Sequence, residues 1–226
     1  LDLKAVLFDF DGVIADTLTY HVDAWQRVFA DYGVRIAPED VYLLEGQLAE
    51  NIGRQLARQK GLALDDGTLA QIVHQKRMIY NQITRAQVYP NARKAIEFLK
   101  QNQIKIALVT GSIRKNIEPV TGNGFLALFD AMIFGDQVAN TKPHPEPYLT
   151  AAKKLQVAPK DCLVIENAPM GIRAAKLAGM VCVALQTTIK DGKYLKEADW
   201  IVDDISQVPW HQWFASITEG KSDLRH

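Results

Sequence analysis

Short apolar runs that do not alternate with polar residues constrain this chain more than any other feature. The first begins at Lys4 and ends abruptly in Asp9-Phe10-Asp11-Gly12. Four more follow: residues 104–109 before Thr110-Gly111-Ser112, 131–134 before Gly135-Asp136, 162–165 before Glu166-Asn167, and 181–185. A strand with one wet face alternates, whereas a run apolar throughout suits a strand buried on both faces of a parallel sheet. Helical patterns lie between the runs. Residues 91–102 place Ala92, Ala95, Ile96 and Leu99 on one face, and 146–155 and 170–178 are spaced similarly. The alternation predicts an α/β fold with a doubly wound, Rossmann-like parallel sheet. Polar residues then sit just past the strand ends, where such sheets bind ligands.

Residues 16–87 break this rhythm. They contain no strand-like run but three apolar stripes at helical spacing. One is Leu18, Val22, Trp25, Phe29 and Tyr32, and another is Leu48, Ile52 and Leu56. The third, Leu69, Ile72, Val73, Ile79, Tyr80 and Ile83, is interrupted by one polar residue, Lys76. An all-α insert of this size can bury its own faces, so it is read as a second domain of residues 16–87. The α/β core then comprises residues 1–15 and 88–226, with hinges near 14–17 and 87–90.

Composition excludes several partners. Lys plus Arg and Asp plus Glu are both 26, leaving no formal charge. That balance argues against a basic nucleic-acid footprint. No apolar run approaches the ~20 residues that cross a bilayer. Asp9 and Asp11 interrupt the N-terminal apolar stretch, unlike a signal peptide. The expectation is a soluble, cytoplasmic protein with no nucleic-acid or membrane partner. Cys162 and Cys182 lie in apolar runs without metal spacing and are read as reduced core residues. Trp200, Trp210 and Trp213 are read as packing residues, and the polar tail after Gly220 as frayed. Oligomeric state is not encoded in any of these features.

The strongest chemical signal is Asp9-x-Asp11-Gly12 at the end of a buried strand. Extended geometry puts both carboxylates on one side with Phe10 opposite. Carboxylates that close repel, and a divalent cation or a proton-transfer role relieves the conflict. Solvated loop acids would be the bland reading, but such acids rarely end a five-residue apolar strand. Thr110 after the second run, Lys142 before Pro143-His144-Pro145, and Glu166-Asn167 after the fourth then arrive in order.

With this ordered set, the chain resembles the haloacid dehalogenase-like hydrolases, in the branch of β-phosphoglucomutase and the sugar-phosphate phosphatases. The resemblance runs from Leu3 to about Val208 and includes the helical insert, which it identifies as a cap. It implies an Mg²⁺-dependent phosphohydrolase acting on a small phosphorylated metabolite, a sugar phosphate in the first instance. Asp9 is then the nucleophile that forms an aspartyl-phosphate, and Asp11 the general acid and base. Thr110, the Gly111 and Ser112 amides, and Lys142 hold phosphate oxygens. Asp9, the Asp11 carbonyl, Glu166 and Asn167 hold Mg²⁺. Thr17 and His21 match the first cap helix, where they position the general acid.

Two departures qualify the resemblance. The mutase metal motif reads Glu-Asp, whereas this chain has Glu166-Asn167, and Met170 and Gly171 stand where other branches place a further acid. The mutase cap motif Gly-x-Ser-Arg, whose arginine grips a distal phosphate, is here Gly46-Gln47-Leu48-Ala49. Hydrolysis is therefore expected over mutase activity. A phosphomutase, an inorganic pyrophosphatase and a catalytically silent phosphometabolite-binding relative compete with that expectation. Asp11 counts against a dehalogenase and against a phosphonatase.

Overall fold

In the computed structural model, which describes residues 3–122 and 124–214, six parallel strands form one sheet in the order β3-β2-β1-β4-β5-β6. The strands are β1 Ala5–Phe8, β2 Lys105–Val109, β3 Ala131–Ile133, β4 Cys162–Glu166, β5 Val181–Leu185 and β6 Trp200–Val202. This is the expected α/β class with doubly wound order. Each strand divides its apolar side chains between two cores, which is why none of the runs alternates. Val6 and Phe8 face one core with Ile106, Leu108 and Ile165, while Ala5 and Leu7 face the other with Ala107, Val109 and Val164. The polar tail after Gly220 lies outside the described residues.

Helices cover both faces of the sheet. Pro90–Gln101, Arg114–Thr121, Glu146–Leu155 and Pro169–Leu177 are α5 to α8, after four helices in the insert, and Trp210–Trp213 is α9. Ala92, Ala95, Ile96 and Leu99 of α5 and Ile117 of α6 close the first core, and Tyr148 and Leu155 of α7 with Ile172 of α8 close the second. Strand β6 adds an edge that the sequence does not announce, because it has too little apolar pattern to stand out. Its Trp200 is exposed at that edge and lies 4.6 Å from the buried Trp213 ring. Cys162 and Cys182 are buried and free. Among the described residues no helix is long and apolar enough to cross a membrane.

The insert holds helices α1 Leu18–Ala30, α2 Pro38–Tyr42, α3 Ala49–Gln59 and α4 Asp66–Ile83. Trp25, Phe29, Ile52, Leu56, Leu69, Ile72 and Val73 build a third apolar core there, apart from the sheet. Two chain crossings tie it back. The Asp16 amide donates to the Gln87 carbonyl and the Tyr89 amide to the Ile14 carbonyl, around an antiparallel bridge of Ala15 with Val88.

Register positions the site. Phe8 pairs with both Leu108 and Ile165, so the next residues on the three central strands, Asp9, Val109 and Glu166, are level. Thr110 and Asn167 lie one step further. The C-terminal edge of the sheet thus gathers residues that are more than a hundred positions apart in sequence.

Candidate active site

Lys142 is the centre of this edge. Its fully buried ammonium donates to Asp9 Oδ1 at 2.6 Å, Glu166 Oε1 at 2.7 Å and the Val109 carbonyl at 3.1 Å, which uses all three of its protons. Glu166 is equally committed. Tyr148 Oη donates to its Oε1 at 2.7 Å, and the amides of Asn167 and Ala168 donate to its Oε2 at 2.9 and 3.2 Å. Burial opposes the charge on Lys142, but Asp9 and Glu166 hold the ammonium firmly protonated. Asp9 is pushed up to about 8 by burial, against the pull of Lys142 and with Glu166 and Asp11 nearby. The two shifts agree physically, because one cation does not neutralise three buried carboxyls.

Asp11 sits among donors from both the sheet and the insert. Thr17 Oγ1 donates to Oδ1 at 2.6 Å, His21 Nε2 lies 3.2 Å from the same oxygen, and Ser112 Oγ donates to Oδ2 at 3.1 Å. Burial works against the charge, yet these donors keep Asp11 below its ordinary range. His21 is itself lowered, by burial and then by Lys76, and is neutral at pH 7. Lys76 Nζ lies 2.7 Å from His21 Nδ1. A protonated lysine only donates, so Nδ1 accepts and Nε2–H is aimed at Asp11. Thr17 stands at the N-cap of α1 but makes no side-chain cap there. Its hydroxyl serves Asp11 and forgoes about 1 kcal/mol of helix capping.

The expected residues therefore converge, with two differences in their contacts. Glu166, expected among the metal ligands, has both oxygens filled by four donors, and the geometry makes it the residue that fixes Lys142. The Ser112 amide, expected on phosphate, donates to Thr110 Oγ1 at 3.0 Å. Sequence reasoning does not single out Tyr148, Lys76 or Glu45 as site residues. Lys76 leaves a signal, the single polar position in the apolar stripe of α4, while Tyr148 and Glu45 leave none.

Residues 6–185 match the model of the haloacid dehalogenase-like hydrolases. The chain belongs to that family. It is 34% identical to a phosphorylated carbohydrates phosphatase of Thermotoga maritima, over 87% of this chain and 91% of that one. It is 33% identical to a validoxylamine A 7'-phosphate phosphatase of Streptomyces hygroscopicus, over 92% and 96%. The crystal structure of β-phosphoglucomutase from Clostridium difficile superposes with a TM-score of 0.78 at 27% identity, covering 93% of this chain and 95% of that one. The chain is an enzyme of this hydrolase family, in the branch of the phosphoglucomutases and sugar phosphatases.

Within the family frame, the donor set fits a hard divalent cation. Asp9, Asp11 and Glu166 set three acidic groups against the one ammonium of Lys142. Asn167 Oδ1 is buried with no hydrogen-bond partner, while its Nδ2 donates to Thr188 Oγ1 at 3.1 Å. Among the described residues no cluster of three His, Cys, Asp or Glu side chains forms a metal cage. A mixed set of carboxylate, amide and main-chain carbonyl oxygens is what such a cation accepts.

The same geometry explains Gly171. A Cβ there would lie 1.6 Å from Glu166 Oε1, so the Glu166 carboxylate occupies the space that a side chain would need. Gly171→Ala is expected to push Glu166 off Lys142 and lower hydrolytic turnover roughly 100-fold, the scale of a 1 Å misplacement. Turnover measured beside a thermal melt separates this from loss of the fold.

A pH effect follows from Lys76, which burial lowers from 10.5 to about 8. Between those values the unfolded chain binds a proton that the folded chain does not, so the folded state gains stability as pH rises through the window. Urea denaturation of native protein and Lys76→Met at several pH values is expected to show their difference moving in favour of the native protein from pH 8 to pH 10.5. A difference constant with pH would contradict the burial of this charge.

Proposed function

We propose that the chain is a phosphohydrolase that releases inorganic phosphate from a small phosphorylated carbohydrate through an aspartyl-phosphate on Asp9. One observation carries this reading. Asp9 is fixed by Lys142 at the sheet edge, beside an Asp11 carboxyl that both the core and the insert hold in place. The phosphatases among its relatives support the same class of chemistry.

In this proposal the proton that Asp9 carries near neutral pH passes to Asp11 as substrate binds. The Asp9 carboxylate oxygen attacks phosphorus, the bond from phosphorus to the ester oxygen breaks, and Asp11 gives that proton to the departing alkoxide. Asp11 then takes a proton from water, whose oxygen attacks the aspartyl-phosphate and restores Asp9 with release of phosphate. Lys142, held by Glu166 and Tyr148, balances the charge on the transferred group, with Thr110 and the Gly111 and Ser112 turn beside it. Mg²⁺, when bound, would be held by Asp9, the Asp11 carbonyl and Asn167, and would neutralise charge on the phosphate oxygens. Residues 16–87 serve as the cap over a core of residues 1–15 and 88–226. It carries Thr17 and His21 to Asp11 and excludes water from the cleft.

One observation favours a second reading. Arg77 brings a guanidinium to the cleft from α4, bonded to Glu50 by Nη2 at 2.9 Å while its Nε is buried without a partner. A mutase needs a cation there to hold a second phosphate. Isomerisation of a hexose phosphate primed with a bisphosphate, without phosphate release, would establish the mutase.

Phosphate release from a panel of phosphorylated metabolites, with and without Mg²⁺, tests the main reading. Asp9→Asn is expected to abolish release and the acid-stable label on residue 9 in a single turnover, and persistent turnover would remove Asp9 as nucleophile. Asn167→Asp is expected to tighten Mg²⁺ severalfold, read by calorimetry. Unchanged or weaker binding would take Asn167 out of the metal site.

A further inference from the structure

The proposed chemistry leaves one buried carboxyl in the site unused. Glu45 lies between α2 and α3, only 6% exposed. It lines the narrow cleft, about 20 Å³ in volume, that also touches Ser112, His21, Lys76, Gln47 and Asn116. It is the only acidic residue in that lining. Among the described residues no cationic nitrogen comes within 4.0 Å of it and no side chain bonds it, so the Gly46 amide is its one support. A buried carboxyl with so few partners is costly unless a ligand completes its hydrogen bonds.

The neighbouring groups are committed elsewhere. Lys76 is turned to His21, and Gln47 Oε1 accepts from Gln55 Nε2 at 2.8 Å. Glu45 is also held in place rather than loose. The next residue, Gly46, has φ +95 and presses on the phosphate side of the site, where a Cβ would come within 2.9 Å of Lys142 Cδ. On its other side, a Cβ on Gly111 would lie 2.5 Å from the Gly46 carbonyl oxygen. Backbone contact of Gly46 with Gly111 and Lys142 thus seats this turn against the residues proposed to hold the phosphate, and a leaving group on that phosphate would meet the cleft that Glu45 lines.

Resting on the phosphohydrolase reading, we propose that Glu45 is a specificity-determining residue whose carboxyl hydrogen-bonds hydroxyls of the leaving group, so that the cleft selects phosphate esters of polyols. Burial, then the charge of Asp11, pushes Glu45 up to about 8 against the pull of Lys76. A carboxyl that holds its proton more tightly than usual can both donate and accept, which suits a hydroxyl.

The test compares kcat/KM for the best hexose phosphate of a panel with that for p-nitrophenyl phosphate, whose leaving group offers no aliphatic hydroxyl, in native protein, Glu45→Leu and Glu45→Gln. Glu45→Leu should lower the hexose phosphate value by about 10- to 100-fold and leave the aryl ester nearly unchanged. Glu45→Gln, which keeps a donor and an acceptor, should retain most of the native preference. Equal losses on both esters in Glu45→Leu would make Glu45 a structural support of the loop, and an unchanged hexose phosphate value would equally overturn the proposal. Should native protein hydrolyse neither ester, the phosphohydrolase reading fails by itself. Glu45 is then judged by calorimetric binding of the same hexose phosphate: weaker binding to Glu45→Leu supports its role and equal binding overturns it.

Discussion

The site depends on one buried ammonium. Lys142 joins the ends of β1, β2 and β4 through Asp9, the Val109 carbonyl and Glu166, and nothing else among the described residues neutralises those two carboxylates at contact distance. Removing one partner of such a buried pair costs about 3–5 kcal/mol, because the charge left behind has no water to turn to. Several local features follow from this constraint. Tyr148 is buried so that its hydroxyl can reach Glu166, and Gly171 has no side chain because the carboxylate occupies the space. Asp9 is left with a fraction of one cation, so it holds a proton more tightly than an ordinary carboxyl.

A second constraint couples the insert to the sheet. Asp11 takes Thr17 and His21 from one and Ser112 from the other, so its ionisation depends on both being seated together. Lys76 extends the chain of contacts through His21 into the core of the insert. Thr17 gives up its helix-capping role to take part, a local sacrifice of the kind found where function overrides helix stability. The close glycine contacts between residues 46 and 111 let the two bodies approach to backbone distance.

Much of this is legible in the residues. Runs without alternation indicate strands buried on both faces, and the two cores that share each strand's side chains are the physical cause. Asp9, Asp11, Thr110 and Asn167 stand after those runs, and parallel register makes their convergence a matter of counting, whereas Lys142 arrives from the loop before α7. Trp200–Val202 is not legible as a strand because three residues on an edge carry too little pattern. The role of Glu166 is not legible either. Its carboxylate faces donors from α7 and from the turn after β4, and spacing says nothing of which way a side chain turns.

The sequence by itself determined the order and class of the elements, the interruption of the sheet by a helical insert, and the carboxylates placed where strands end. These are short-range properties, set by periodicity and by which residues can be buried. Only the tertiary structure decided which carboxylate receives the lysine, which is wrapped in neutral donors, and which is left facing the cleft. Those outcomes depend on contacts between residues 133 positions apart, such as Lys142 and Asp9, and on the low local dielectric in which a buried pair meets.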